Sequence, residues 1–344
     1  MAIAFGVIGA LIALVLGLLT FGVQATVKPD HVPLAVGATD VALAPIAQRV
    51  SAQGADAVSW RTVGSRAEAE RLLDSREVYG ALLFSAGPAG PSATVLVSGA
   101  VNPSGTQVAE PVLTQVAWSV VSAARPAGAP AAAAAAGAPP AVQVVTIHDT
   151  SAAGRVLPLA ASALLWLATL LTSILAVAVA PRVRGGRPLS RVALLASAVT
   201  STVLGAGVVI GLARLWDANL AIGWEAAGFL ALVGGAFALL QAGVLRWLGV
   251  RGIAILAPLY LMAPAVAGLV PELLDPIYRT WLWSWTPFRF STEGLRSLLF
   301  LGADGPDVQT ALWLFGAIAV AGLLLILVPK RRARGGGILT EAAA

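Results

Sequence analysis

The chain contains no cysteine, which excludes disulfides and thiolate metal sites and leaves the redox compartment open. Histidine is almost as scarce. His31 and His148 are the only two; neither has an acidic partner at metal-ligand spacing, no His-Glu-x-x-His pattern exists, and both read as solvated loop residues. Lysine is reduced to Lys28 and Lys330. Neither follows a glycine or precedes a hydroxyl residue, so a phosphate-cradling P-loop is excluded and any ATP-driven work must come from a separate subunit. No catalytic cluster, metal or cofactor is expected, and a membrane enzyme is the weakest of the functional readings.

Charge of either sign is sparse. Only 11% of residues are charged, against about a quarter in soluble domains. The hydrophobic fraction is 58% and the mean hydropathy +0.85, which marks an integral membrane protein. A formal charge of +5 with a pI near 10.4 would suggest nucleic acid in a soluble chain. Here the basic residues gather at the ends of apolar runs, so they read as topology determinants with the lipid bilayer as partner, and nucleic acid is not expected.

What is present is a series of apolar runs. Residues Ile3 to Val23 have about the length needed to cross a bilayer. The competing reading is a signal peptide cleaved near Val23-Gln24-Ala25; the run exceeds a typical signal core and Met1 to Phe5 carry no positive charge, which favours an anchor. Five further spans are expected at about Val156–Ala180, Val192–Ala213, Ala226–Leu245, Ile253–Val270 and Ala311–Val328. Arg182, Arg184, Arg187 and Arg191 follow the second span, Arg246 and Arg251 lie between the fourth and fifth, and Lys330, Arg331, Arg332 and Arg334 follow the last. The positive-inside rule makes these segments, and hence both termini, cytoplasmic.

Residues 28–154 have a different character. Short strands are expected at Val32–Gly37, Val58–Val63, Tyr79–Phe84, Thr94–Ser98 and Val142–Ile147, alternating with helices at Ala44–Ala52, Ser65–Arg76 and Gly105–Ala124. Ser65 and Glu68 have capping-box spacing, and Val108, Val112, Val116 and Val120 recur at helical spacing. This alternation argues for an open α/β layer. Residues 125–141 form a proline-, glycine- and alanine-rich linker. The expected fold class is therefore an α-helical polytopic membrane protein of six transmembrane helices, one plus five, with an extracytoplasmic α/β domain inserted between the first and second. Its parts are a first helix within 1–27, the domain at 28–154, a helical domain at 155–329 and a basic tail at 330–344.

Within the spans polar groups are few. Gln241 is the one strongly polar side chain at depth, where interhelical glue is favoured over a substrate contact. The lack of intramembrane carboxylates or histidines counts against ion-coupled transport. Gly207 and Gly211 form a small-xxx-small pair suited to close helix packing. The loop holding Arg182, Arg184, Arg187 and Arg191 suits either anionic lipid or a docked cytoplasmic partner. Residues 281–302 crowd aromatic and charged residues beside the last span. Trp281, Trp283 and Trp285 read as an interfacial belt interrupted by Pro287; Ser291 reads as a helix cap, Glu293 as a first-turn anion, and Glu293 with Arg296 as an i,i+3 pair on a short amphipathic gating helix.

Three stretches carry a family likeness: Ser65 to Leu73 leading into Val78-Tyr79-Gly80-Ala81-Leu82-Leu83-Phe84; Thr286-Pro287-Phe288; and Glu293-Gly294-Leu295-Arg296 with Leu299-Phe300-Leu301-Gly302. With the span layout they resemble permease subunits of ABC-2 type exporters with a large external domain, and the related phage-infection-protein-like membrane proteins. The resemblance implies an exporter of an amphipathic or envelope-related substrate, working with a separate ATP-binding subunit as a homodimer or paired with a similar permease. The alternative is a non-transporting receptor or scaffold whose external domain binds an envelope or secreted partner.

Overall fold

The computed structural model describes residues 2–53, 56–87, 90–124 and 141–329. Residues 125–140 of the expected linker and the basic tail at 330–344 lie outside them. Helix α1 (Ala2–Gly17) runs on through a π-turn (Leu18–Gly22) to Ala25. The chain then enters a mixed sheet of β1 (Val32–Ala38), β2 (Val58–Val63), β3 (Ala81–Gly87), β4 (Gly90–Ser98) and β5 (Val142–Ile147). The strand order is β2-β1-β3-β4-β5. β1 lies parallel to β2 and β3, β4 parallel to β5, and only the β3–β4 hairpin is antiparallel.

Three helices cover this sheet: α2 (Ala44–Ala52), α3 (Arg66–Asp74) and α4 (Pro103–Ala123). The start of α3 follows the capping logic, with one shift. Ser65 Oγ accepts from the Glu68 N–H at 3.1 Å, while the Glu68 carboxylate reaches past the cap to the Gly64 N–H at 2.8 Å. On α4 the fully buried stripe is Ala109, Leu113, Ala117 and Val121, with Val108, Val112, Val116 and Val120 only partly buried beside it. Small Ala109 and Ala117 let the helix axis approach the sheet, so the valines flank the contact.

The remaining chain is mostly apolar helix: α5 (Ala152–Ile174, continuing to Val183), α6 (Arg191–Trp216), α7 (Trp224–Leu248), α8 (Ile253–Ala267), α9 (Pro287–Phe300) and α10 (Val308–Leu327). Four runs are long and apolar enough to cross a membrane: Ala152–Val183, Arg191–Trp216, Trp224–Ala267 and Val308–Leu327. The third joins α7 to α8 through a 3-10 turn at Gly249–Gly252, where Gly249 has φ +61°. Phe229, early in α7, lies against Gly294, and Ala267, at the end of α8, belongs to the same buried cluster. The chain therefore doubles back at this turn, as the two separate apolar runs in the sequence require. Ala13–Ala25 and the fifteen-residue α8 are shorter apolar helices. They pack on each other through Val23, Ala265 and Val266, and the Tyr278 hydroxyl donates to the Leu18 carbonyl at 3.0 Å.

An aromatic cluster fills the bundle. Trp166 meets Phe237 edge-on at 4.8 Å and Phe288 at 5.1 Å, and Phe237 meets Phe315 at 5.5 Å. Within the bundle the backbones of α7 and α10 approach closely. A Cβ on Gly322 would stand 2.4 Å from the Leu240 nitrogen, and one on Gly243 would stand 2.7 Å from Leu325. A Cβ on Gly207 or Gly211 would meet no described residue beyond its own helix within 4 Å, so within this chain the tight packing lies instead at Gly243 and Gly322.

Candidate functional site

Several of the residues that join sheet and bundle lie on α9. This helix starts at Pro287, whose missing N–H costs nothing at a first-turn position. Ser291 is therefore an interior residue and not a cap, and Glu293 lies beyond the first turn; both expectations are corrected because proline sets the start five residues earlier, with Thr286 at the cap position. Ser291, Thr292, Leu295, Arg296 and Ser297 are all buried. Rather than lying on a surface, α9 is wedged between the two halves of the molecule.

Its bundle side is held by Phe288, in the aromatic cluster, and by hydroxyls: Ser162 Oγ of α5 donates to Ser291 Oγ at 2.7 Å. On its sheet side is a buried ion cluster. Glu293 Oε1 accepts from Arg296 at 2.6 Å and from the Asn102 amide at 2.8 Å, while Oε2 pairs with Arg76 at 3.0 Å. Arg76 Nη2 also donates to the Glu293 carbonyl at 3.3 Å, and Arg76 pairs with Asp307, just before α10, at 3.1 Å. Arg76 and Asn102 belong to the sheet unit, so three chain segments meet on the Glu293 carboxylate and a fourth, at Asp307, joins through Arg76. Burial pushes the Glu293 carboxyl up, but the charges of Arg296 and Arg76, with hydrogen bonds from Arg296 and Asn102, outweigh it and hold it below the usual range. For Arg76, burial dominates and lowers its affinity for a proton, with Glu293 and Asp307 opposing.

A second seam lies beside it. The Tyr79 hydroxyl donates to Glu272 at 2.7 Å, and burial, with the Glu272 charge, pushes its ionisation well above that of free tyrosine. Ser104 Oγ accepts from the Val270 N–H at 3.0 Å, and Val270 and Leu273 complete the apolar core beneath the sheet.

Trp281 and Trp283 lie in a helical π-turn, Arg279–Trp283, and Trp285 follows just beyond it. Trp281 and Trp285 share one outward side, at 73% and 49% exposure, while Trp283 turns inward and donates to the Leu269 carbonyl at 3.2 Å. The Arg289 guanidinium stacks over Trp283 at 3.7 Å. Exposed Trp216 and Trp224, at the facing ends of α6 and α7, bring further indole rings to that region of the helix ends.

The arginines expected to dock a partner are on a tight turn. α5 ends at Val183, Gly185 and Gly186 take positive φ, and α6 starts at Arg191 with Ser190 as its cap. Arg182, Arg184, Arg187 and Arg191 are all exposed. Arg246 donates to the Leu325 and Val328 carbonyls at 2.9 and 3.0 Å, placing the α7 and α10 ends together. The Leu175–Val179 segment packs on the Gly249–Gly252 turn, so the basic turns share one end of the bundle, remote from the sheet. Gln241 is fully buried and donates to the Trp166 carbonyl at 3.1 Å, bridging α7 to α5.

Each histidine does have an acidic neighbour. His31 Nδ1 stands 2.6 Å from Asp30, and His148 Nε2 stands 2.9 Å from Asp74, which is 74 positions away and therefore invisible to local spacing. No group of three potential metal ligands occurs among the described residues. Sequence reasoning found the Glu293–Arg296 pair but missed Arg76, Asn102 and Asp307; the signal available was an arginine immediately after a helix end, at a position that favours φ above zero. Comparison with known proteins finds no family model, no curated protein and no solved structure that matches this chain.

Proposed function

We propose that this protein is the membrane-spanning subunit of an ABC-type exporter for an amphipathic or envelope-related substrate, with ATP hydrolysis supplied by a separate subunit. In this reading six helices cross the cell membrane, both termini face the cytoplasm, and residues 28–154 lie outside. Two copies, or this chain and a similar permease, frame the path. The observation that supports it most is the division of labour along the bundle. At one end exposed arginines crowd a turn where force can be received. At the other, α9 is tied to the sheet unit by the Glu293 cluster and to the bundle by Phe288 and Ser291. Movement of the helices would thus be carried into the external unit.

The exposed tryptophans at the sheet end and the arginines at the opposite end agree with a bilayer between them. A test follows from the arginine turn. Reversing charge at Arg184 and Arg187 should abolish efflux and leave membrane insertion intact; unchanged efflux would remove the docking assignment. The second reading, a receptor or scaffold that does not transport, is favoured by the same clamp, since a buried, fully engaged carboxylate also suits a fixed platform. Efflux lost in a deletion strain and restored by the intact gene would decide against it.

A further inference from the structure

Beneath the carboxyl ends of the parallel strands β4 and β5 lies a cavity of about 130 Å³. Open sheets tend to bind ligands at the carboxyl ends of parallel strands. The cavity is floored by Ser98, Gly99 and Thr146 at the strand ends, walled by α4, and closed by the segment that leads into α5. The α4 wall is formed by Pro103, Thr106, Gln107 and Glu110, which flank the stripe that packs on the sheet. Facing it are Asp149, Thr150 and Arg155.

Two observations set this cavity apart from a packing gap. Its three ionisable residues, Glu110, Asp149 and Arg155, line one small space yet form no ion pair with each other or with any other described residue. Thr106 Oγ1, on its wall, is buried without a hydrogen-bond partner. Buried hydroxyls are ordinarily satisfied, so this wall holds one polar group that the protein itself leaves without a partner.

We infer that this cavity binds a small zwitterion of the phosphoethanolamine type. Its phosphate sits against the Arg155 guanidinium, whose planar fork suits phosphate oxygens. Its ammonium sits between the carboxylates of Glu110 and Asp149. The cavity is well below the roughly 300 Å³ at which drug-sized sites begin, so it takes the charged group and not a long apolar chain. Arg155 stands at the start of the apolar run Ala152–Val183, so the site opens at the bilayer edge. There the same chemistry is offered by a lipid head group or by a free small molecule. The site does not depend on the exporter reading, since it is built entirely by the sheet unit and the first turn of α5.

The test is isothermal titration of the full-length protein in a neutral detergent with O-phosphoethanolamine as probe. Saturable one-to-one binding is expected, weakened at least tenfold in both Arg155→Gln and Glu110→Gln. These residues are exposed, so unchanged melting of the variants verifies the fold. Nanodiscs of phosphatidylethanolamine, compared with phosphatidylglycerol, separate the sources: competition by the former alone assigns a lipid head group, and lack of competition assigns a free zwitterion. The inference is overturned if no saturable binding occurs, if both variants bind as the parent does, or if inorganic phosphate binds as tightly as the probe.

Discussion

Arg76 and Asp307 lie 231 positions apart, both in the left-handed backbone region at φ +59° and +68°, and their side chains meet at 3.1 Å. Among the described residues only four non-glycine positions have positive φ, and the other two, His31 and His148, also hold a carboxylate. An L-residue in this region carries roughly 1–2 kcal/mol of strain. Such strain persists where surrounding contacts over-determine it. At Arg76 those contacts are the Glu293 carboxylate and carbonyl, which aim the side chain out of the sheet unit and into α9.

Removing the central anion should therefore be costly. Glu293→Gln leaves Arg76 and Arg296 buried with only Asp307 as countercharge, and breaking a buried pair in this way costs about 3–5 kcal/mol. Arg66→Ala removes an exposed i,i+4 partner of Glu70 and should cost less than about 1 kcal/mol. Unfolding in detergent, followed by tryptophan fluorescence, checks the contrast; equal effects would contradict a buried role for Glu293.

Acid should loosen the same cluster. The folded-state carboxyl of Glu293 is held below its ordinary value of 4.5, so the unfolded chain binds the proton more readily. Its contribution is thus fully present above about pH 4.5 and is lost as the pH falls through the folded value. Melting temperature measured from pH 6 downward should fall more steeply for the parent than for Glu293→Gln, which has no proton to take up there.

Glycine substitutions separate a real helix contact from an apparent one. Gly322→Ala puts a methyl against the α7 backbone, with 2.4 Å to the Leu240 nitrogen, and such overpacking typically costs about 1–3 kcal/mol. Gly207→Ala meets open space and should gain up to about 1 kcal/mol from helix propensity. Thermal melts of the two variants should move in opposite directions.

Gln241→Leu tests the buried amide. It removes one hydrogen bond to the Trp166 carbonyl but also a buried Oε1 that has no partner. Interhelical hydrogen bonds in membranes are worth about 0.6 kcal/mol on average, so stability should shift by less than about 1 kcal/mol and efflux should persist. Loss of efflux at unchanged stability would make Gln241 a substrate contact.

Much of the secondary structure was legible, for reasons that differ along the chain. Ala44–Ala52, Val58–Val63 and Val142–Ile147 have the expected bounds, because turn residues and the change from helical to strand periodicity are local signals. Helix α9 was misplaced at its start since Pro287 and Ser291 are both plausible beginnings; burial of Ser291 against Ser162, 129 positions earlier, decides between them. The junction was half legible. Glu293 and Arg296 are one helical turn apart and advertise each other, whereas Arg76 and Asp307 are brought in by the fold alone. Within this chain close helix packing lies at Gly243 and Gly322 and not at Gly207 and Gly211 for the same reason: a small-xxx-small stripe shows that an approach is permitted, and only the partner helix determines where it occurs.

Whether the proposed permease is powered by another subunit is decided by purifying the full-length protein from its native membrane in mild detergent and identifying co-purifying soluble chains by mass spectrometry. The expected result is a stoichiometric partner carrying a P-loop, lost when Arg184 and Arg187 are reversed in charge. Recovery of the protein without any such partner, under conditions in which other membrane complexes stay intact, would contradict it.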